Sequence, residues 1–203
     1  MTITLPKDWS EVTLAQFVGL HDLNEMEGDE MERVFATVAL MADVDIEEVR
    51  KVKLKHIKDL IKHLKFLKEP IEGKVKRWIP LRWKGYRIAK DVRTMKAGQY
   101  IDINYFLSNG KAPHNFADIM AVLMEPTRFG WFIRDKRPME HEEIKVAAYE
   151  LPMTIVKPLT DFFLQEYLTS AKATLDYSLW KMEEQMATLR KMASAKDTVG
   201  SKL

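Results

Sequence analysis

The sequence lacks three features, and each absence narrows the class of protein. It contains no cysteine, which excludes disulfide bonds, thiol nucleophiles and thiolate metal sites and agrees with a reducing compartment. It contains no run of about 18 apolar residues, the length that crosses a bilayer. Its first residues, MTITLPKDWSEV, lack the charged start and apolar stretch of a secretory signal. We therefore expect a protein of the cytoplasm that spans no membrane.

The sequence also lacks a catalytic constellation and a complete metal motif. His141 and Glu142 match the start of the zinc motif H-E-x-x-H, but Lys145 stands where the second histidine would be. His56 and His63 fall on one predicted helix, two turns or about 10 Å apart, which is too far to share an ion. We expect neither an enzyme nor a bound metal or cofactor.

What the sequence does contain is enough apolar residues for a core and an uneven distribution of charge. The 203 residues are 46% hydrophobic, which suits one large domain or a domain with an appendage. Residues 1–50 hold 3 basic and 12 acidic side chains, whereas residues 51–96 hold 16 basic and 4 acidic ones. Such segments are expected to neutralise one another, within the fold or between copies. A polyanion or an acidic protein is the alternative partner.

The spacing of apolar residues predicts helices through the first seventy residues. Thr13 and Asp29 are each placed to cap the start of one, and a short helix is expected to start at Asp45. A further helix should end before Pro70. The second helix is expected to turn one apolar face to the core. That face comprises Met31, Val34, Phe35, Val38 and Met41.

The helix before Pro70 is amphipathic and basic. Lysines surround its apolar side, a pattern that suits a membrane surface or a polyanion. We interpret the lysines as a solvated face, because their stems can cover apolar surface. The apolar stripe comprises Leu54, Ile57, Leu60, Ile61, Leu64 and Leu67.

The stretch KVKRWIPLRWKGYRIAK, residues 74–90, combines seven basic residues with two tryptophans and a tyrosine. Its alternation around Lys84-Gly85 predicts a β-hairpin over about 76–90, in which Pro80 restricts the first strand to an edge. No further strand is expected, so one face of the ribbon must pack on helices. Arg77, Arg82, Lys84 and Arg87 are candidate polyanion contacts, although nucleic-acid binding is not expected.

The chain after the hairpin again shows helical spacing. Two helices, closed by Gly110 and Pro126, are expected to bury Tyr100, Ile103, Phe106 and Leu107, then Phe116, Ile119, Met120, Leu123 and Met124. From Pro158, about 38 residues run without glycine or another proline, which predicts a long helix with Pro158 in its first turn.

The second half of that long helix narrows to an apolar seam with spacings of 4, 3, 4 and 3. The seam is either part of the domain's own core or a surface for a partner, for which methionine is an adaptable residue. We expect a domain over 1–174, a candidate docking arm over 175–195 and a disordered tail over 196–203. The seam comprises Leu175, Leu179, Met182, Met186 and Leu189.

These elements together predict a mainly α (α+β) fold, a multi-helix domain with one small β-hairpin and a long C-terminal helix. Several phrases also resemble a known family. They are ITLPKDWSEVTLAQFVGLHDL, VDIEEVRKVKLKHIKDLIKHLKFL, MKAGQYIDINYFL after the hairpin, IMAVLMEP and LPMTIVKPLTDFFLQEYLTSAKATL. In this the chain is similar to small structural-module proteins of tailed phages of gut bacteria, which act as tail assembly chaperones or as tail and baseplate accessory proteins.

The resemblance implies a helper without catalytic residues that works in the host cytoplasm. It would bind the extended tape-measure protein and keep its apolar segments from aggregating until the tail polymerises. It would also often self-associate. The alternatives are a permanent component of the virion, such as a connector or baseplate subunit whose charge polarity joins successive copies, and a nucleic-acid-binding protein that uses the basic hairpin.

Overall fold

The computed structural model describes residues 3–81, 84–88, 95–109, 111–127, 139–165, 169 and 181–182. The chain divides into two compact units, Met1–Phe163 and Leu164–Leu203. The mainly α (α+β) class is confirmed, and the elements below belong to the first unit, apart from the last two residues of the final helix. The predicted boundary at 174 and the tail over 196–203 lie outside the described residues and stay predictions.

Helices form the first part of the chain, as its apolar spacing predicts. They are α1 (Leu14–Glu25), α2 (Glu30–Ala42), α3 (Ile46–Arg50) and α4 (Leu54–His63), and α4 continues as a 3₁₀ turn over Leu64–Lys68. Asp29 and Asp45 accept backbone N–H groups at the starts of α2 and α3, which confirms the predicted cap at Asp29 and the predicted helix start near Asp45. Asp43 ends α2 in the left-handed conformation, at φ 53°.

A side chain at the start of α1 also forms hydrogen bonds with the end of α2. Thr13 and Gln16 form a reciprocal capping box, in which the Gln16 amide oxygen accepts the Thr13 N–H at 3.0 Å. The other end of the same amide donates to the carbonyls of Leu40 and Met41, at 3.3 and 3.2 Å. One glutamine therefore satisfies backbone groups at the ends of two helices.

The sheet has three strands rather than the predicted two. They are β1 (Trp78–Leu81), β2 (Lys84–Ile88) and β3 (Met124–Thr127), all antiparallel, in the order β1-β2-β3. The expected turn at Lys84-Gly85 is wrong, because Leu81 pairs with Lys84 and both of the predicted turn residues lie in β2. β1 is an edge strand, as Pro80 predicts, and the opposite edge strand also carries a proline, Pro126.

The later helices contribute buried residues to the same core as the sheet. They are α5 (Ala97–Asn109), α6 (Phe116–Leu123), α7 (His141–Tyr149) and the helical residues 153–165, named α8. At the start of α5, Gln99 repeats the arrangement of Gln16: its oxygen accepts the Lys96 N–H at 3.1 Å and its nitrogen donates to the Val122 carbonyl at 2.8 Å.

Two boundaries differ from the prediction. The α6 helix ends at Leu123 and the chain passes directly into β3, so Pro126 lies in a strand and does not close a helix. The α8 helix begins at residue 153, so Pro158 lies inside it rather than in its first turn. Pro158 has no N–H to donate to the Thr154 carbonyl, one turn earlier.

The two ends of the first unit are joined by backbone hydrogen bonds. Leu14 N–H donates to the Leu151 carbonyl at 2.8 Å, and Met153 N–H donates to the Val12 carbonyl at 2.9 Å. All four of these side chains are buried in the core. The start of α8 is therefore part of the same core as the start of α1.

The core confirms most of the predicted buried residues and corrects others. Val38, Met41, Ile57, Ile103, Ile119, Met120, Leu123 and Met124 are buried, and Val34, Phe35, Phe106 and Phe116 are partly buried against them. Met31 was expected in the core and is 41% exposed. Leu54 and Ile61, on the predicted stripe of α4, are 60% and 41% exposed. Within the described ranges, none of the helices has the length and apolar character that crossing a bilayer requires.

Candidate functional site

The exposed side of α4 is a basic surface with apolar side chains in it. We define the basic surface as Leu54 and Ile61 together with the exposed lysines 53, 55, 58, 62 and 65. Leu54 and Ile61 are seven residues apart, so they lie on one side of the helix about 10 Å from each other. Of the stripe's other residues, Ile57 and Leu64 are buried, whereas Leu60 and Leu67 are partly buried. The prediction of a purely solvated lysine face is therefore incomplete, because apolar groups share that face.

An acidic surface of similar design lies at the junction of α1 and α2. We define it as the exposed methionines Met26 and Met31 together with the exposed acidic residues around them. Met26 is 60% exposed. The acidic residues are Asp22, Glu25, Glu27, Asp29, Glu30 and Glu32. Its apolar side chains are adaptable ones, which suits a surface that binds another chain.

The two charged surfaces are not neutralised by ion pairs between them. Across the residues the structure describes, no ion pair joins an acidic side chain of 1–50 to a basic one of 51–96. Arg50 pairs with Glu32 and Glu47, all three within the first segment. Lys62 pairs with Asp59 on its own helix at 3.2 Å. Both surfaces thus retain charge for a partner.

The structure describes the side chains of two of the four candidate polyanion-binding residues in the basic hairpin. Arg77 and Arg87 are exposed near one end of the hairpin, where Arg87 pairs across the strands with Trp78. On the other side of β2, Arg87 pairs with Glu125 in β3. A carboxylate beside the arginine disfavours a phosphate there. Arg82 and the side chain of Lys84 lie outside the description.

The aromatic residues of the hairpin divide between the two faces of the sheet. Ile79, Tyr86 and Ile88 are buried on the core face, as their alternation predicts. Trp78 lies on the other face and is 42% exposed. The second tryptophan, Trp83, is outside the described residues.

Of the predicted seam, the structure describes Met182 alone. This residue is helical and 53% exposed in the unit Leu164–Leu203. Leu175, Leu179, Met186 and Leu189 are outside the described residues, so their role as a partner surface stays a prediction. An exposed methionine is what that prediction requires at position 182.

The incomplete zinc motif at His141 has a structural role instead. Its first histidine and Lys145 lie one turn apart on α7 and both face Asp118 of α6, at 3.5 and 2.8 Å from its Oδ1. The hydrogen bond that Lys145 donates to Asp118 raises the pKa of Lys145. The ion pair between Lys145 and Asp118 joins the two helices.

Sequence reasoning missed a different group of potential ligands, because its members are distant in the chain. His21 and Asp22 lie on α1 and His114 lies between α5 and α6, yet their ligand atoms are within 4.8 Å of one another. Only the fold reveals this proximity.

Comparison of the chain with protein-family models, with curated proteins and with solved structures gave no match.

Proposed function

We propose that the chain is a non-enzymatic assembly protein of a tailed phage, a chaperone that binds the tape-measure protein during tail morphogenesis. The resemblance of its sequence to phage tail proteins supports the biological setting. One observation supports binding of a protein chain: apolar side chains are exposed within charged surfaces that have no ion pairs with each other among the described residues.

The basic surface suits an amphipathic client helix. Leu54 and Ile61 would contact the client's apolar side chains, and Lys58 between them would meet acidic residues at its margin. Such a surface binds a helix whose apolar residues stand at i, i+3, i+4 and i+7. A long helical tape-measure segment would repeat that spacing. Covering these side chains would remove apolar area from water, which is the main driving force of association.

Co-expression with the tape-measure protein of the same phage tests the proposal. We expect the wild-type chain to keep the tape-measure protein in solution and to co-purify with it. Replacing Leu54 and Ile61 together with glutamate should abolish capture, because a charge in the contact is desolvated without a partner. Val146→Glu is the matched control, since Val146 is 62% exposed on α7, away from the basic surface.

The result that contradicts the proposal is equally specific. A Leu54→Glu, Ile61→Glu variant that folds and still captures its client would exclude the basic surface. Wild-type protein that never co-purifies with the tape-measure protein would exclude the chaperone function. Mass spectrometry of purified virions adds an independent measurement, because a chaperone should be absent from the particle.

The second candidate function is a permanent virion component, a connector or a tail or baseplate subunit. It is favoured by the opposite charges of the basic and acidic surfaces, which could join successive copies. A contact between two different surfaces of one chain builds a ring or a filament. Light scattering at low and high salt tests it: salt should dissociate the oligomer, since screening weakens exposed charge pairs. Abundant peptides in virions would favour this function over the chaperone.

Nucleic-acid binding is the remaining alternative and the hairpin gives it little support. Glu125 lies next to Arg87 in the sheet, as described above. Binding to DNA or RNA that weakens with salt and disappears in an Arg77→Ala, Arg87→Ala variant would establish it.

A further inference from the structure

We propose that His21, Asp22 and His114 form a binding site for a divalent transition-metal ion of the zinc type. The three residues bring together two imidazoles and one carboxylate, and their ligand atoms all lie within 4.8 Å of one another. His114 Nε2 is 3.0 Å from Asp22 Oδ1, a separation that two ligands of one ion can adopt. The site lies outside every surface used in the proposed function except for the side chain of Asp22.

The donor set selects the class of ion. Two imidazole nitrogens with one carboxylate oxygen suit Zn²⁺, Ni²⁺ or Co²⁺, whereas Mg²⁺ and Ca²⁺ prefer oxygen ligands alone. Three protein ligands leave further coordination positions for water or for a group from another molecule. At His21, Asp22 and His114 the side chains are 35%, 50% and 46% exposed, so an ion can reach the site from solvent.

The state of His21 gives a second reason for the proposal. Its Nδ1 atom is closed off from solvent and makes no hydrogen bond within the described structure. Glu25 Oε1 lies 3.8 Å from it, beyond hydrogen-bond distance. Its ring lies edge-on to that of His114, with centroids 6.0 Å apart. A metal ion would give this imidazole the partner that it lacks. Glu25 would then be a second carboxylate near the ion, in addition to Asp22.

The proposed site connects distant parts of the fold. Its ligands come from α1 and from the segment between α5 and α6, which are more than ninety positions apart in the chain. Bound metal would therefore hold these elements together and raise the stability of the folded state, because the unfolded chain presents no such set of ligands.

Calorimetric titration of the purified full chain with ZnCl₂, and with MgCl₂ for comparison, tests the proposal. We expect heat of binding and a higher melting temperature with zinc, and neither with magnesium. His114→Ala and Asp22→Asn should each weaken zinc binding by about tenfold or more, since even the loss of a supporting residue at a metal site costs about 10–100-fold. The visible absorption spectrum of bound Co²⁺ would differ between wild type and these variants, because each variant removes one ligand of the ion.

The control uses histidines elsewhere on the surface. His56 and His63 are exposed on α4, and removing both by alanine substitution should leave zinc binding unchanged. The proposal is overturned if wild-type protein shows no heat and no stabilisation with zinc, or if the α4 variant loses as much affinity as His114→Ala. Circular dichroism shows whether each variant is folded. None of these outcomes depends on capture of a tape-measure protein.

Discussion

Gly73 lies directly against the carbonyl of Thr154. A Cβ atom at position 73 would stand 2.1 Å from that oxygen and 2.8 Å from Cγ of Pro158. Proline at 158 leaves the Thr154 carbonyl without its usual helical donor, and the chain between α4 and β1 approaches the helix at this exposed oxygen. The position accepts glycine because no side chain has to fit there.

Gly73→Ala should therefore destabilise the fold by about 1–3 kcal/mol, the usual range when an added methyl forces the backbone to shift. Gly98→Ala is the matched control, because a Cβ at position 98 in α5 meets nothing within 4 Å. That substitution should be neutral or slightly stabilising. Urea denaturation of both variants measures the difference. Equal stability of the two variants would show that the segment around Gly73 moves away without cost.

Gln16 and Gln99 are expected to stabilise the fold through their amide nitrogens. A glutamate at either position keeps the side-chain oxygen that accepts a backbone N–H at the start of α1 or α5. It lacks the N–H group that donates to carbonyls near the end of α2 or α6. We predict that Gln16→Glu and Gln99→Glu each cost about 1–3 kcal/mol, because a carboxylate would then face buried carbonyl oxygens. Thermal melts provide the measurement. A stabilised variant would mean that the capping box alone accounts for the role of the glutamine.

Stability should fall at alkaline pH, and Tyr86 should cause part of that fall. Burial, then the charges of Glu150 and Glu143, raise the pKa of its phenol above the ordinary value. The unfolded chain therefore releases this proton first, so stability falls as the pH rises above about 10. Tyr86→Phe should lose less stability than wild type between about pH 9 and 11. Its phenol contacts Met139 Sδ at 4.0 Å, a weak interaction, so the variant should cost little at neutral pH.

Lys145 should contribute to the same alkaline transition. Its pKa is raised, chiefly by the hydrogen bond that it donates to Asp118. The stabilisation is fully present below about pH 10.5 and is lost as the pH rises through the higher folded value. An Asp118→Asn variant should show a smaller alkaline loss in pH-dependent denaturation. A profile identical to that of wild type would show that the ion pair adds nothing to stability.

The segment after Thr174 is predicted to be a docking arm. Truncation there should leave a cooperative domain, because the first unit ends at Phe163 and its buried residues Leu159 and Phe163 are retained. It should abolish self-association or partner capture. Leu179→Glu with Met182→Glu should reproduce that loss. Circular dichroism melts and pull-downs on the same proteins decide it, and a truncated chain that precipitates would assign the seam to the protein's own core.

Local chemistry predicted the helices well and long-range pairing poorly. The predicted caps at Thr13 and Asp29 and the predicted helix start at Asp45 were correct because each depends on a side chain bonding to backbone two or three residues away. Strand β3 was missed because its four residues, MEPT, show no alternation and pair with β2 more than thirty-five positions earlier. Strand formation there depends on a neighbour that sequence spacing does not reveal.

The candidate surfaces were predicted in composition but not in position. The sequence showed that α4 is basic and apolar, yet only packing decides that Ile57 is buried while Leu54 and Ile61 are exposed. A helix stripe wider than its neighbours can cover leaves apolar groups in water. The same limit applies to His21 and His114, whose proximity depends on how α1 packs in the fold.

The prolines in both outer strands of the described sheet disfavour polymerisation by strand addition. A strand from another molecule that tried to extend the sheet would meet Pro80 on one side and Pro126 on the other, each without an N–H to offer. The described sheet is therefore a poor template for cross-β growth in either direction. A chain that holds aggregation-prone segments at high local concentration would gain from this protection, because its clients could gather on helices without seeding a fibre.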